Sequence, residues 1–218
     1  MLLVGESRPT CLYFGLQSLT KRQPEFCCRL VTAIHACLAT SLATWHCFYA
    51  QPWSERQPGG INTSMEKFTI SNSLGYFIFD IVWCLYYQTE GYTMIVHHLV
   101  SLTALSRVLM KGVSATEAIS GIGGLEITNP LLQLRWFLRD AGLKSTFIYK
   151  LVEVIFMALF FVMRVIGGGY LVFSVVAHPR PDIEIKLLAS AFYILSLIFM
   201  TYIFQYFAAK YFKKAKSA

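Results

Sequence analysis

Six mostly apolar stretches dominate this sequence: 30–50, 70–88, 92–110, 113–136, 147–176 and 187–207. A helix needs about 20 such residues to cross the hydrocarbon core of a bilayer. The runs therefore predict an all-α fold, a bundle of about six transmembrane helices. Composition agrees, because 56% of the chain is hydrophobic and only 14% charged, against about 45–50% and about 25% in soluble domains. A soluble globular enzyme and a disordered chain are both excluded. The fifth run exceeds a bilayer width and has to tilt, kink or lie partly in the interface. Its Gly167, Gly168 and Gly169 mark a bend or a close helix contact.

The net charge is +7, yet no Lys/Arg block of nucleic-acid type is present, so membrane lipids rather than nucleic acid are the expected partners. Six cysteines form no C-x-x-C pair and sit mostly in apolar runs, where Cys acts as a small hydrophobe. Residues 1–20 hold only a short apolar stretch, broken by Gly15 and preceded by Glu6 and Arg8. They read as neither a signal peptide nor a span. The expected organisation is a non-spanning segment at 1–20, the helical domain at 21–212 and a basic tail at 213–218.

Six spans put both termini on one side of the membrane. On that side lie Arg8, Lys21, Arg22, Arg29, Arg135, Arg139, Lys144, Lys210, Lys213, Lys214 and Lys216. The other side holds only Arg56, Lys67, Lys111, Arg180 and Lys186. The positive-inside rule then predicts cytosolic termini. Asn62-Thr63-Ser64 is a glycosylation sequon in the longest opposite loop, which agrees with that orientation. The tail Lys214-Ala215-Lys216-Ser217-Ala218 fits a cytosolic dilysine signal for return to the endoplasmic reticulum, or a basic stop that binds anionic headgroups. The endoplasmic reticulum is favoured over the plasma membrane. Cys27-Cys28, just before the first span, read as palmitoylation candidates or as buried neighbours.

Charged groups in hydrocarbon are costly and usually face the bundle interior. Here they are Asp80, His97, His98, Glu117, Glu126, Glu153 and Arg164, with Arg107 near a helix end, placed to snorkel to the lumenal interface. At about 1.5 Å per residue, Asp80 lies about 12 Å from the cytosolic end of its span, and His97 and His98 lie about 8 Å in. Glu126 lies about 15 Å, Asn129 about 10 Å and Glu153 about 9 Å from the same surface. Groups from four helices thus converge on one half of the membrane. Glu126, Asn129, Pro130 and Gln133 follow helical spacing and form one polar stripe, and Pro130 frees the Glu126 carbonyl. Asp80, Asn129, Gln133, Glu153 and Arg164 are candidates for lining a lipid-binding cavity, with interhelical packing as the competing reading. Adjacent histidines diverge by about 100° on a helix. That spacing, with no H-x-x-x-H, disfavours a di-His metal centre, and no metal ligand is expected.

Three blocks carry a family resemblance: Tyr76-Phe77-Ile78-Phe79-Asp80, His97-His98, and Leu125-Glu126-Ile127-Thr128-Asn129-Pro130 continuing to Leu138. Over about residues 20–215 the chain resembles the TLC-domain family, which includes ceramide synthases and translocon-associated membrane proteins. The third block departs from the usual pattern by one extra leucine in Leu131-Leu132. The resemblance implies a helical bundle in the endoplasmic reticulum or plasma membrane that works on or with lipids. Relatives usually begin with an extra apolar span, so this N-terminus reads as an alternative start or splice form. Ceramide synthases carry paired histidines where His97 and His98 stand. Their later His-Asp…Asp signature aligns with Leu125, Glu126 and Asn129, so one histidine is missing and one acid is an amide.

Ceramide synthesis is therefore not expected, and two functions remain open. One is a lipid-handling protein acting in lipid homeostasis and membrane phospholipid composition. The other is a lipid acyltransferase with a cytosol-facing site, using acyl-CoA as substrate and no resident cofactor. For the second, His97, His98 and Glu126 are the catalytic candidates, with His98 as base and Glu126 as its orienting acid. Transport ranks last, because only Pro130 breaks a helix and no internal repeat is present.

Overall fold

The computed structural model describes residues 2–20, 22–50 and 58–212. Among them the chain is almost wholly helical, with one isolated bridge between Ile61 and Val113. The helices are α1 (Leu2–Thr20), α2 (Pro24–Trp45), α3 (Ser64–Tyr87), α4 (Tyr92–Lys111), α5 (Ala115–Glu126), α6 (Asn129–Asp140), α7 (Phe147–Phe160), α8 (Gly168–Ala177) and α9 (Ile183–Phe207). Wider π-helical turns extend α2 over His46–Ala50, join α7 to α8 over Phe161–Gly167, and extend α9 over Ala208–Phe212.

Five segments are long and apolar enough to cross a membrane: Pro24–Ala50, Ser64–Tyr87, Tyr92–Lys111, Phe147–Ala177 and Ile183–Tyr211. The run expected as a sixth continuous span is instead two 12-residue helices, α5 and α6, interrupted at Ile127 and Thr128. Each rises only about 18 Å. Pro130 explains the interruption, since it has no N–H to continue the ladder. Residues 2–20, read from the sequence as a non-spanning segment, are not among those five. Residues 2–20 form one helix that packs along α3, with the Tyr13 ring 5.7 Å from Phe79. Its polar residues keep it below the hydropathy of the long helices, although its 19 residues rise about 28 Å.

Capping residues set the helix ends where the apolar pattern stops. Thr63 and Glu66 form a reciprocal capping box at the start of α3. Thr146 Oγ1 accepts from Tyr149 N at 3.3 Å before α7, and Asp182 Oδ1 accepts from Ile185 N at 3.1 Å before α9. α4 stops at Gly112, whose φ of +71° suits glycine.

α3 is the central helix, buried at Ile70, from Ser73 through Phe77 and again at Phe79, Ile81 and Trp83, with α1, α2, α4 and α5 against it. α7, α8 and α9 form the outer wall and expose Phe147, Ile155, Phe173, Ile194 and Phe204, as lipid-facing helices do. The glycines of the long helix make the close contact their spacing suggests. A Cβ on Gly169 would lie 3.1 Å from Tyr193 Oη on α9.

The end of the bundle that holds the sequon is tied by buried hydrogen bonds. Asn62 Nδ2 donates to the Val108 carbonyl at 2.8 Å, and Asn62 Oδ1 accepts from Ala115 N at 2.9 Å. Its side chain is 5% exposed. Both ends of the amide are consumed in packing. Cys27 and Cys28 are likewise buried rather than offered for acylation. Arg107 does not snorkel alone but binds Glu184, through Nε at 2.9 Å. The dilysine tail lies outside the described residues.

Candidate functional site

Side chains from α2, α3, α4, the α5–α6 break, the wide turn after α7 and α9 surround a chamber of about 430 Å³. Asp80, His97, His98, Glu126, Asn129, Gln133 and Arg164 all line it. The convergence expected from helix spacing is therefore real for seven of the eight candidate residues. Glu153 is the exception. It is fully buried, accepts from Tyr206 Oη at 3.1 Å and Tyr211 Oη at 2.8 Å, and pairs with Lys210 and with Arg135 Nε at 3.5 Å. Those bonds join α7 to the end of α9, so Glu153 holds the wall rather than the cavity.

His98 Nε2 lies 3.3 Å from Asp80 Oδ2. The carboxylate beside the imidazole is thus Asp80, where sequence reasoning assigned Glu126. Glu126 instead accepts from Asn129 Nδ2 at 2.8 Å, across the helix break. His97 turns its ring against the edges of Phe192 and Phe199, at 5.7 and 5.8 Å between centroids. The two histidine rings diverge as adjacent helical positions must.

Arg164 comes from the wide turn between α7 and α8, a geometry frequent at functional positions. Its guanidinium packs over Phe160 at 4.7 Å, and Nη2 donates to the Leu125 carbonyl at 2.6 Å. Several polar atoms here have no protein partner: His98 Nδ1, Gln133 Oε1 and Arg164 Nε. A site built only to knit helices together would consume them.

Behind this chamber lies a second, of about 530 Å³, between α2, α4, α5, α8 and α9. Small residues make its room, among them Ala104, Ala118, Gly121, Gly124, Gly168 and Ala189. Its wall is mostly apolar. Phe77, Glu126 and Arg164 line both chambers, so these three side chains form the partition. Both volumes fall in the range of about 300–1,000 Å³ typical of small-molecule sites.

Residues 25–212 match the TLC domain. The chain belongs to the TLC-domain family. It is also similar to TLC domain-containing protein 4 A of Dictyostelium discoideum, 27% identical over 144 residues, which cover 63% of this chain and 54% of that protein. The chain thus spans about half the length of this relative.

In this TLC-domain chain the three blocks that carry the resemblance all meet at the first chamber, with Asp80, His97-His98 and Glu126 on its walls. Sequence reasoning missed several further lining residues. Arg29 reaches the chamber from α2 and pairs with Glu25 at 3.2 Å and Glu90 at 3.8 Å. Burial pushes the Glu90 carboxyl up, and the nearby Arg29 partly offsets that. Arg135 and Arg139 also line the chamber, which with Arg29 and Arg164 gives it four guanidinium groups. Cys84 was legible as the residue one turn after Asp80, but nothing in an apolar run distinguishes a ligand from packing. Asp80, Cys84 and His98 bring ligand atoms within 4.8 Å of one another. The walls can thus hold an anionic or hydrogen-bonding head, with hydrocarbon behind it.

Proposed function

We propose that the chain holds an amphipathic lipid, with its polar group in the first chamber and its hydrocarbon in the second. Through that binding it acts in lipid homeostasis and membrane phospholipid composition. The observation that carries this reading is the shared partition of Phe77, Glu126 and Arg164. One ligand reaching past it meets unpaired polar atoms on one side and an apolar wall on the other. The motif block from Leu125 to Leu138, with its altered signature, resembles the branch called TLC domain-containing protein 5, or transmembrane protein 136. That likeness supports lipid handling over ceramide synthesis. The basic tail supports a place in the endoplasmic reticulum with a cytosolic C-terminus.

Acyl-CoA-dependent acyl transfer is the second reading. Arg29, Arg135 and Arg139 favour it, because guanidinium groups suit the phosphates of such a substrate.

The test is to purify the protein in mild detergent and identify co-purifying lipid by mass spectrometry. Wild type should retain a lipid that Ala189→Phe, which fills the second chamber, releases. In cells lacking the protein, wild type should restore the lipid profile and Ala189→Phe should not. Equal lipid retention by a folded Ala189→Phe protein sinks the reading. Acyl transfer by the purified protein from labelled acyl-CoA would establish the second reading instead.

A further inference from the structure

We propose that Asp80, Cys84 and His98 form a zinc site in the wall of the first chamber. This goes beyond lipid binding, and either idea can fail without the other. Asp80 and Cys84 stand one turn apart on α3, so they share a face. His98 projects from α4 onto that face, with Nε2 3.3 Å from Asp80 Oδ2. One ligand atom from each residue lies within 4.8 Å of the other two. Tetrahedral zinc has bonds of about 2.0–2.3 Å to N, O and S, so its ligand atoms sit about 3–4 Å apart. Closing the set asks each side chain to move by about an ångström or less.

The chemistry of the set suits zinc among the divalent ions. Imidazole, carboxylate and thiolate together are a borderline-soft donor set, and magnesium or calcium would want oxygen alone. Charge agrees. One carboxylate, one thiolate and a neutral imidazole balance a 2+ ion, so the loaded site is neutral inside a membrane bundle, where net charge is costly.

Two further observations point to a ligand. His98 is 5% exposed, and its Nδ1, which has no protein partner, can carry the ring proton and leave the Nε2 lone pair facing Asp80 free for an ion. Among the described residues, His98 is the only basic side chain within ion-pair distance of Asp80. An ion would neutralise a carboxylate that no Lys or Arg among the described residues pairs with directly. Cys28 on α2 stands beside the set, its Sγ 4.0 Å from Asp80 Oδ1. Three protein ligands in a chamber wall leave a fourth position for water or for a lipid head.

The experiment uses the full chain in detergent, stripped with chelator and reloaded with zinc or cobalt(II). Wild type should bind one ion per chain, and the cobalt form should show a thiolate-to-cobalt charge-transfer band. Cys84→Ser should lose that band, while Cys27→Ser, which changes a buried cysteine outside the set, should keep it. A wild type that takes up no ion, or a band that survives Cys84→Ser, overturns the proposal. If Cys84→Ser fails to fold, alkylation of the wild type decides. Zinc should slow modification of Cys84 at least tenfold, and equal rates with and without zinc refute the site.

Discussion

Arg164 Nη2 donates to the carbonyl oxygen of Leu125 at 2.6 Å, linking the wide turn after α7 to the last turn of α5. The same oxygen accepts from Thr128 Oγ1 at 3.1 Å. A helix broken before Pro130 leaves carbonyls that a membrane interior cannot hydrate. The spacing of Pro130 pointed to the Glu126 carbonyl, whereas the structure directs both donors to Leu125. Arg164 thus supports the break that carries Glu126 and Asn129 to the chamber.

Arg164→Met keeps much of the volume but removes the donor. It also leaves Glu126 without its neighbouring cation in the partition. A hydrogen bond from a charged group is worth about 1.5–3 kcal/mol, so the variant should unfold at lower temperature in a detergent thermal scan. It should also lose co-purifying lipid. A variant that keeps both its melting temperature and its lipid would show that the break stands without Arg164.

Gly123 on α5 faces Ala43 on α2. A Cβ built on Gly123 would come within 2.7 Å of the Ala43 Cβ, closer than two carbons can sit. Small residues at such a crossing let helix backbones approach. Gly123→Ala should therefore destabilise by about 1–3 kcal/mol through overpacking. The double variant Gly123→Ala/Ala43→Gly should recover most of that loss, because the methyl has only changed sides. Thermal scans of both proteins test this, and a double variant no better than the single one would locate the strain elsewhere.

Much of this architecture was legible because a bilayer permits so few folds. Apolar run length placed five long helices, and the depth of Asp80, His97, His98 and Glu126 along them predicted that they would meet. Run length could not see the helix at 2–20, since Glu6, Arg8 and Gly15 dilute its apolar pattern while α3 supplies the packing. Nor could spacing tell which acid sits beside His98, because Asp80 and Glu126 lie at similar depth and rotation about the helix axes decides between them. Glu153 shows the same limit. Its depth matched the chamber, but its face turned towards Lys210 and Tyr211 on the end of α9.

Asn62 offers a direct check on whether a sequon is used. Its amide bridges α4 and α5, donating to Val108 O and accepting from Ala115 N. A glycan on Nδ2 would remove the donor and need space that a 5% exposed side chain lacks. The protein from glycosylating cells should therefore show no mobility shift on treatment with an N-glycosidase. Asn62→Ala should lower stability by about 1–3 kcal/mol, since it strands the buried Ala115 N–H. A glycan found at Asn62 in the folded protein would contradict this arrangement.

At the same end of the bundle, Asp182 and Glu184 face Lys111 and Arg107, joining the start of α9 to the end of α4. The bond from Lys111, with that from Ile185 N, holds the Asp182 carboxyl below its ordinary value. A folded-state value below the unfolded one means that the contribution is present above the unfolded value and lost as pH falls through the folded one. The window lies below about pH 4, the usual range for an aspartate. The pair is partly exposed, so its effect is small and screened by salt. The melting temperature should fall as pH drops through that window at low ionic strength, and less steeply in high salt. Asp182→Asn, which keeps an oxygen for Ile185 N but not the charge, should flatten the slope. An unchanged slope in Asp182→Asn would assign the acid sensitivity to other carboxylates, with Glu184 the next to substitute.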